Sequence, residues 1–258
     1  MLKSSLLLIT GLLSMQALAG TQTWDMDDSP LYGGSNDGNY LNLTEDSITL
    51  TVTGWSDTGG SNDDIIASGE LAFYGSGELG LINRDEGDQQ PDHSIDSSNS
   101  NSNNWVDYDA VLLEFSQAVN LEQFYVGWAY DNGNSEADIS LLAYTNHSGN
   151  GTADIEGSSW NNIIGQGWES IDNYANVDDY SYQIVDTTVT SKYWLIGAYN
   201  PIFGSGSGLG SENDGFKLKE VYTSTSAPRT EVPEPNALAI LAIGLLSLVR
   251  VRSRNKQI

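Results

Sequence analysis

The sequence predicts an all-β protein, a single β-sandwich or jelly-roll-like ectodomain with an N-terminal signal peptide and a short C-terminal transmembrane helix. Three observations predict it. Apolar residues in the interior recur at every second position, and no long amphipathic helix with a 3.6-residue repeat is visible. Turn pairs punctuate those runs at Asp37-Gly38, Asn132-Gly133, Asn150-Gly151 and Asp214-Gly215. All 7 Trp, 13 Tyr and 5 Phe fall between Trp24 and Tyr222, so this stretch has the aromatic content to bury a core. A chain of 258 residues suits one such domain with terminal additions.

The first element, residues 1–19, reads as a secretory signal. Lys3 supplies the positive start, residues 6–13 the apolar stretch, and Ala17-Leu18-Ala19 the small-x-small cleavage pattern, so the mature chain begins at Gly20. The ectodomain is expected over 20–223. Its clearest strand is 47–55, where Ile48, Leu50 and Val52 share one face and Thr49, Thr51 and Thr53 the other. Further strands are expected at 70–74, 78–83, 109–115, 123–130, 138–144, 180–185, 192–199 and 215–222, with 109–115 and 123–130 pairing as a hairpin across 116–122. Residues 89–104 and 204–214 read as polar surface loops. Residues 224–231, with Pro228, read as a linker.

The last element, 232–256, has three parts. Val232-Pro233-Glu234-Pro235 is followed by an apolar run over 237–249 and then by Arg250, Arg252, Arg254 and Lys256. A helix over that run is about 20 Å long, short of the ~30 Å hydrocarbon core, and suits temporary anchorage. Lys3 before the first apolar segment and the basic residues after the last both favour the cytoplasm, which places the ectodomain outside.

This ending resembles the PEP-CTERM sorting signal of exosortase-dependent surface proteins in Gram-negative bacteria. The resemblance implies signal peptidase and exosortase as processing partners, contact with the membrane through the helix before cleavage, export through the inner membrane, and a final place at the cell surface or in a biofilm matrix. The segments Pro91-Asp92-His93-Ser94-Ile95-Asp96, Val126-Gly127-Trp128 and Asp138-Ile139-Ser140-Leu141-Leu142-Ala143-Tyr144 also resemble a group of surface proteins carrying the same tail.

Composition narrows the chemistry of the ectodomain. Between Gly20 and Val232 there are 34 acidic residues against 5 basic ones, a net of −29, which repels phosphate backbones and argues against nucleic acid. Zero Cys excludes a disulfide scaffold, a thiol nucleophile and Cys-ligated zinc. Gly75-Ser76-Gly77-Glu78-Leu79-Gly80 has dinucleotide spacing, but a strand follows it where that motif needs a helix, so it reads as a glycine-rich turn. His93 and His147 are the only histidines, both in polar stretches and expected to be solvated. No catalytic residue stands out.

Calcium is the cofactor the sequence motivates, because it takes carboxylate and backbone oxygens. The candidate ligands are Asp57, Asp63 and Asp64 in one loop and Asp131, Glu136 and Asp138 in another. Among the tryptophans, Trp128 and Trp194 are expected in the core. Trp105 and Trp160, beside Asn-rich loops, are the candidates for stacking on sugar rings.

The expected function is that of an exported, exosortase-processed surface or matrix protein whose ectodomain is a non-catalytic structural or polysaccharide-binding module. Two alternatives stand beside it. One is a secreted hydrolase acting on glycans, which needs two facing carboxylates. The other is a calcium-rigidified structural surface protein without a ligand.

Overall fold

The computed structural model describes residues 20–28, 30–31, 37–60, 64–75, 77–83, 93–98, 106–146, 153–210 and 213–225. The signal segment and the tail from 226 onward lie outside the described residues, and with them Ala17, Ala19, Val232, Pro233, Glu234, Pro235, Arg250, Arg252 and Arg254. No helix among the described residues is long and apolar enough to cross a membrane. Residues 19–225 form one compact unit.

Fourteen strands make up most of it, with one short α-helix and two 3-10 turns, Met26–Asp28 and Pro201–Phe203, among the described residues. In chain order they are β1 (Thr21–Asp25), β2 (Asp37–Gly38), β3 (Tyr40–Glu45), β4 (Ile48–Gly59), β5 (Ile65–Ser68), β6 (Glu70–Tyr74), β7 (Glu78–Ile82), β8 (Ile95–Ser98), β9 (Asp107–Asp131), β10 (Glu136–Tyr144), the helix α1 (Trp160–Gly165), β11 (Trp168–Asp178), β12 (Ser181–Ile184), β13 (Ser191–Ala198) and β14 (Asp214–Ser224). All the pairings are antiparallel.

The sequence-expected hairpin over 109–130 is instead one strand, β9, of 25 residues. Its first half pairs with β4 and β13, and its second half with β12 and β14. The polar stretch Ser116-Gln117-Ala118 looks like a turn, yet Val119 and Leu121 beyond it are buried, and burying them keeps the chain extended. Asn120 marks the passage. Its Nδ2 donates to the carbonyls of Thr187 and Val189 at 2.9 and 2.8 Å, tying the β12–β13 connection to the crossing point.

β9 thereby joins two sheets. The first holds β3, β4, β5, β13, β10 and β11; the second holds β12, β14, β1, β7, β8, β6 and β2. Both contribute to one core, with Leu50, Val52, Val111, Leu113, Ile139 and Trp194 from the first and Leu79, Phe124, Val126, Phe216, Leu218 and Val221 from the second. Ring contacts cross between the sheets. Trp24 meets Phe115 edge-on at 5.4 Å, and Phe124 meets Tyr174 at 5.8 Å.

The middle of the first sheet is covered on its outer face as well. Ala110, Leu112, Leu142 and Leu195 point away from the main core into a second cluster with Ile155, Trp160, Ile163 and Trp168. This explains why 110–113 and 194–196 read as unbroken apolar runs, since both faces of those strands are buried. α1 is the cover. Its N-cap Ser159 accepts from the Asn162 amide, and Trp160 and Ile163 face inward.

Turn chemistry was legible in part. Asn132 and Gly133 both have positive φ, 46° and 95°, and form the two-residue turn that leads from β9 into β10, closed by the single bridge between Asp131 and Asn134. Gly75 and Gly77, also at positive φ, turn β6 into β7. Two of the turn pairs are not turns. Asp37-Gly38 is the short strand β2, and Asp214-Gly215 opens β14. β14 also runs through Ser224, the first residue of the expected linker, because Ser224 pairs with Thr21. The expected loop 89–104 contains strand β8, anchored by buried Ile95.

Candidate functional site

With α1 over the middle of the first sheet's outer face, the outer face of the second sheet is the more open among the described residues, and it carries a group of exposed aromatics. β9, β12 and β14 lie side by side there, with Tyr182 opposite Tyr125 and Gln123 opposite Tyr222 in the register. Inward residues Phe124, Val126 and Val221 fill the core, so their neighbours Tyr125, Tyr222 and Glu220 are turned outward. On β12 the alternation puts Tyr182 and Ile184 outward, 51% and 68% exposed, and Tyr180 just before the strand is 67% exposed.

These side chains form a cluster around one carboxylate. Tyr125 and Tyr182 lie 4.6 Å apart with their planes tilted by 55°, and Tyr182 and Tyr222 lie 5.7 Å apart at 74°. The hydroxyls of Tyr222 and Tyr182 donate to Glu220 Oε2 at 2.5 and 3.4 Å. Its own bond to Glu220, its contact with Tyr182 and burial push the Tyr222 phenol far above its ordinary range. Tyr125 is also raised, by burial and then by Tyr182, against the pull of Lys219. The Tyr222 phenol therefore stays a neutral donor to Glu220 at ordinary pH. Tyr180 holds φ at +51°, a left-handed conformation that an L-residue with a bulky side chain rarely takes.

Further along the same face lies a second group. The Lys217 ammonium sits between two rings, 4.5 Å from the Tyr74 centroid and 4.4 Å from that of Trp128. Trp128 stacks with Tyr130, and Tyr74 with His93. Trp128, expected in the core, is thus a half-buried residue of the outer face, because the local register shift of β9 against β14 turns it outward. His93, expected to be solvated, is half-buried against Tyr74. Trp194 is fully buried, as expected.

The sequence-predicted sugar contacts fall elsewhere. Trp105 lies outside the described residues. Trp160 is not displayed: it is 4% exposed under the first sheet, edge-on to Phe203, with its indole acting on the Asp57 carboxylate. It lies beside an Asn-rich sequence but is the first residue of α1, whose inner face is core.

Of the acidic candidates, Asp63 lies outside the described residues and Asp64 is exposed. Asp57 is buried and accepts from the Tyr108 amide at 2.6 Å. Burial, with Asp107 nearby, raises its pKa to about 7. Asp131, Glu136 and Asp138 do come together, around a fourth acid that the sequence reading passed over, Asp214. Burial raises Asp138, with Asp131 adding to it. Burial raises Asp214 to about 8, with Asp138, Asp131 and Glu136 adding to it. Asp138 accepts from the amides of Asn176 and Gly210, and its own amide donates to Asp214 Oδ1 at 2.8 Å. These carboxyls knit β10, β11, β14 and the 204–210 loop together. Among the described residues no three acidic or histidine side chains stand in an arrangement that could hold a metal ion.

The tyrosine cluster escaped the sequence reading because its members come from three strands with no shared spacing. One signal was present. In Tyr180-Ser181-Tyr182-Gln183-Ile184 the large residues alternate with small or polar ones, which pairs a bulky face with a strand too polar on its other side to be central.

No family model matches the chain, and no curated protein matches it. Among solved structures, the X-ray structure of GH31 CBM32-2 bound to GalNAc overlaps this chain at 8% identity, covering 80% of this chain and 98% of that one, with a TM-score of 0.28. An overlap at that score carries no argument about fold or ligand.

Proposed function

We propose that this chain is an exported cell-surface or extracellular-matrix protein whose β-sandwich binds polysaccharide without catalysis, through the tyrosine cluster of its open sheet. The observation that carries the binding half is the cluster itself: Tyr125, Tyr182 and Tyr222 grouped around Glu220 on an uncovered face. Aromatic rings offer sugars a flat apolar surface, while hydroxyls and a carboxylate at the ring edges offer hydrogen bonds. The export half rests on the two termini, the signal peptide ending at Ala19 and the sorting motif Val232-Pro233-Glu234-Pro235 with its apolar run and arginines. Signal peptidase and exosortase are the processing partners, and the membrane holds the precursor until the tail is removed.

Co-sedimentation with insoluble extracellular polysaccharide from the host tests the binding half. The full-length chain is expected in the pellet, the Tyr182→Ala variant in the supernatant, and no reducing sugar in either. A chain that stays in the supernatant, or that releases sugar, contradicts the reading.

A further inference from the structure

The tyrosine cluster offers a sugar single ring faces rather than one broad, flat platform. Here the planes of neighbouring rings are inclined by 55° and 74°, so the rings form walls. Glu220 stands among them. Both tyrosine hydroxyl bonds fall on its Oε2, which leaves Oε1 outside that network. Inclined aromatic walls beside a carboxylate are the arrangement that takes an ammonium group, by ring-face attraction and ion pairing together.

Two further observations point the same way. The same sheet face already holds one ammonium in this manner, Lys217 between the rings of Tyr74 and Trp128. The domain carries a net charge of −29, which draws cations and repels uronate or sulfated polymers. Glu122 extends the negative side of the cluster, since its carboxylate accepts from Ser224 at the end of β14, and the carbonyl of Glu122 accepts from the Val185 amide just past β12. Lys219 is the one basic side chain whose charge acts on Tyr125.

Resting on the polysaccharide reading above, we infer that the ligand is a polysaccharide bearing free primary ammonium groups, such as a polymer of deacetylated glucosamine, with each bound ammonium placed against Tyr182, Tyr125 and Tyr222 and paired with Glu220. Calorimetric titration of the full-length chain with glucosamine oligomers, the same oligomers fully N-acetylated, and host exopolysaccharide tests this at low and high salt.

The glucosamine oligomer should bind at least about tenfold more tightly than its acetylated form, and added salt should weaken it. Tyr182→Ala and Glu220→Gln should each remove that preference, whereas Tyr182→Phe should keep most of it, because the ring face remains. All three changes are at the surface and leave the core untouched.

Equal affinity for the two oligomers overturns the ammonium inference and leaves polysaccharide binding standing, as does binding of host polysaccharide alone. Glucosamine binding that persists in both Tyr182→Ala and Glu220→Gln is general attraction to an acidic protein and overturns the inference as well. Failure of all three ligands overturns both.

Discussion

At the scale of single residues, the clearest consequence of the fold is what it does to Asp214 and Asp57. Both are held among other acids in places that water barely reaches, and both keep their protons to about pH 8 and about pH 7. A carboxyl whose pKa is raised on folding binds its proton more tightly in the folded state. Its stabilising effect is therefore complete below the unfolded value of about 4 and is lost as pH rises through the folded value. The melting temperature should fall between about pH 4 and pH 8. Asp214→Asn should flatten that fall and raise the melting temperature above pH 8, since an amide keeps the acceptor for the Asp138 amide without a charge. A melting curve unchanged by the substitution at high pH would contradict the assignment. Trp160 gives a second prediction. Trp160→Ala should cost about 3–5 kcal/mol in chemical denaturation, as for other buried tryptophans, with binding of polysaccharide unchanged. Trp160→Phe should cost less, because a phenyl ring keeps much of the packing and only the weak attraction of the indole N–H to the Asp57 carboxylate is lost. Legibility at this scale divided on context. Trp194 was readable as core because its neighbours are apolar, whereas Trp160 was misplaced because the Asn residues beside it lie on the opposite side of the helix.

Among the elements, strands with one buried face and one wet face were the readable ones. β4 and β6 stand where the alternation puts them. β1 and β3 also alternate, with Gln22 and Trp24 or Leu41 and Leu43 turned inward, but their apolar positions are too few to stand out from loops. β11 has little apolar pattern to read, since most of its residues are exposed or half-buried. β9 was misread for another reason: its polar middle is the place where the strand passes between sheets. Close approach between elements sets the next prediction. A Cβ on Gly80 of β7 would stand 2.1 Å from the His93 carbonyl, a backbone atom that cannot swing away. Gly80→Ala should lower the melting temperature markedly and should disturb the neighbouring Tyr74–His93 stack on the outer face. A variant as stable as the parent would mean that the β7 register is not as described.

For the whole molecule, the two sheets have unequal surroundings. In one, the central strands β9, β10 and β13 are sealed on both faces, by the common core and by the cluster under α1. The other is sealed only within, and its outer face carries tyrosines, a tryptophan and two of the five basic residues in a strongly acidic domain. Composition announced the acidity and the sandwich, but the choice of face depends on which sheet the helix covers, a tertiary fact with no local signature. The termini, by contrast, carry expectations that rest on sequence alone. They predict that the protein recovered from the surface of its host begins at Gly20 and lacks the apolar run over 237–249, which intact-mass measurement reads directly. A recovered chain that keeps the run in the presence of an active exosortase contradicts the sorting assignment.

The central claim is that the open tyrosine face binds polysaccharide, and a paired binding isotherm tests it most directly. The full-length chain and its Tyr182→Ala variant would be titrated with exopolysaccharide purified from the host. The account predicts saturable binding by the parent and at least about a tenfold loss in the variant, the scale expected for removing one aromatic contact. An isotherm without saturation, or one that the substitution leaves unchanged, would contradict it.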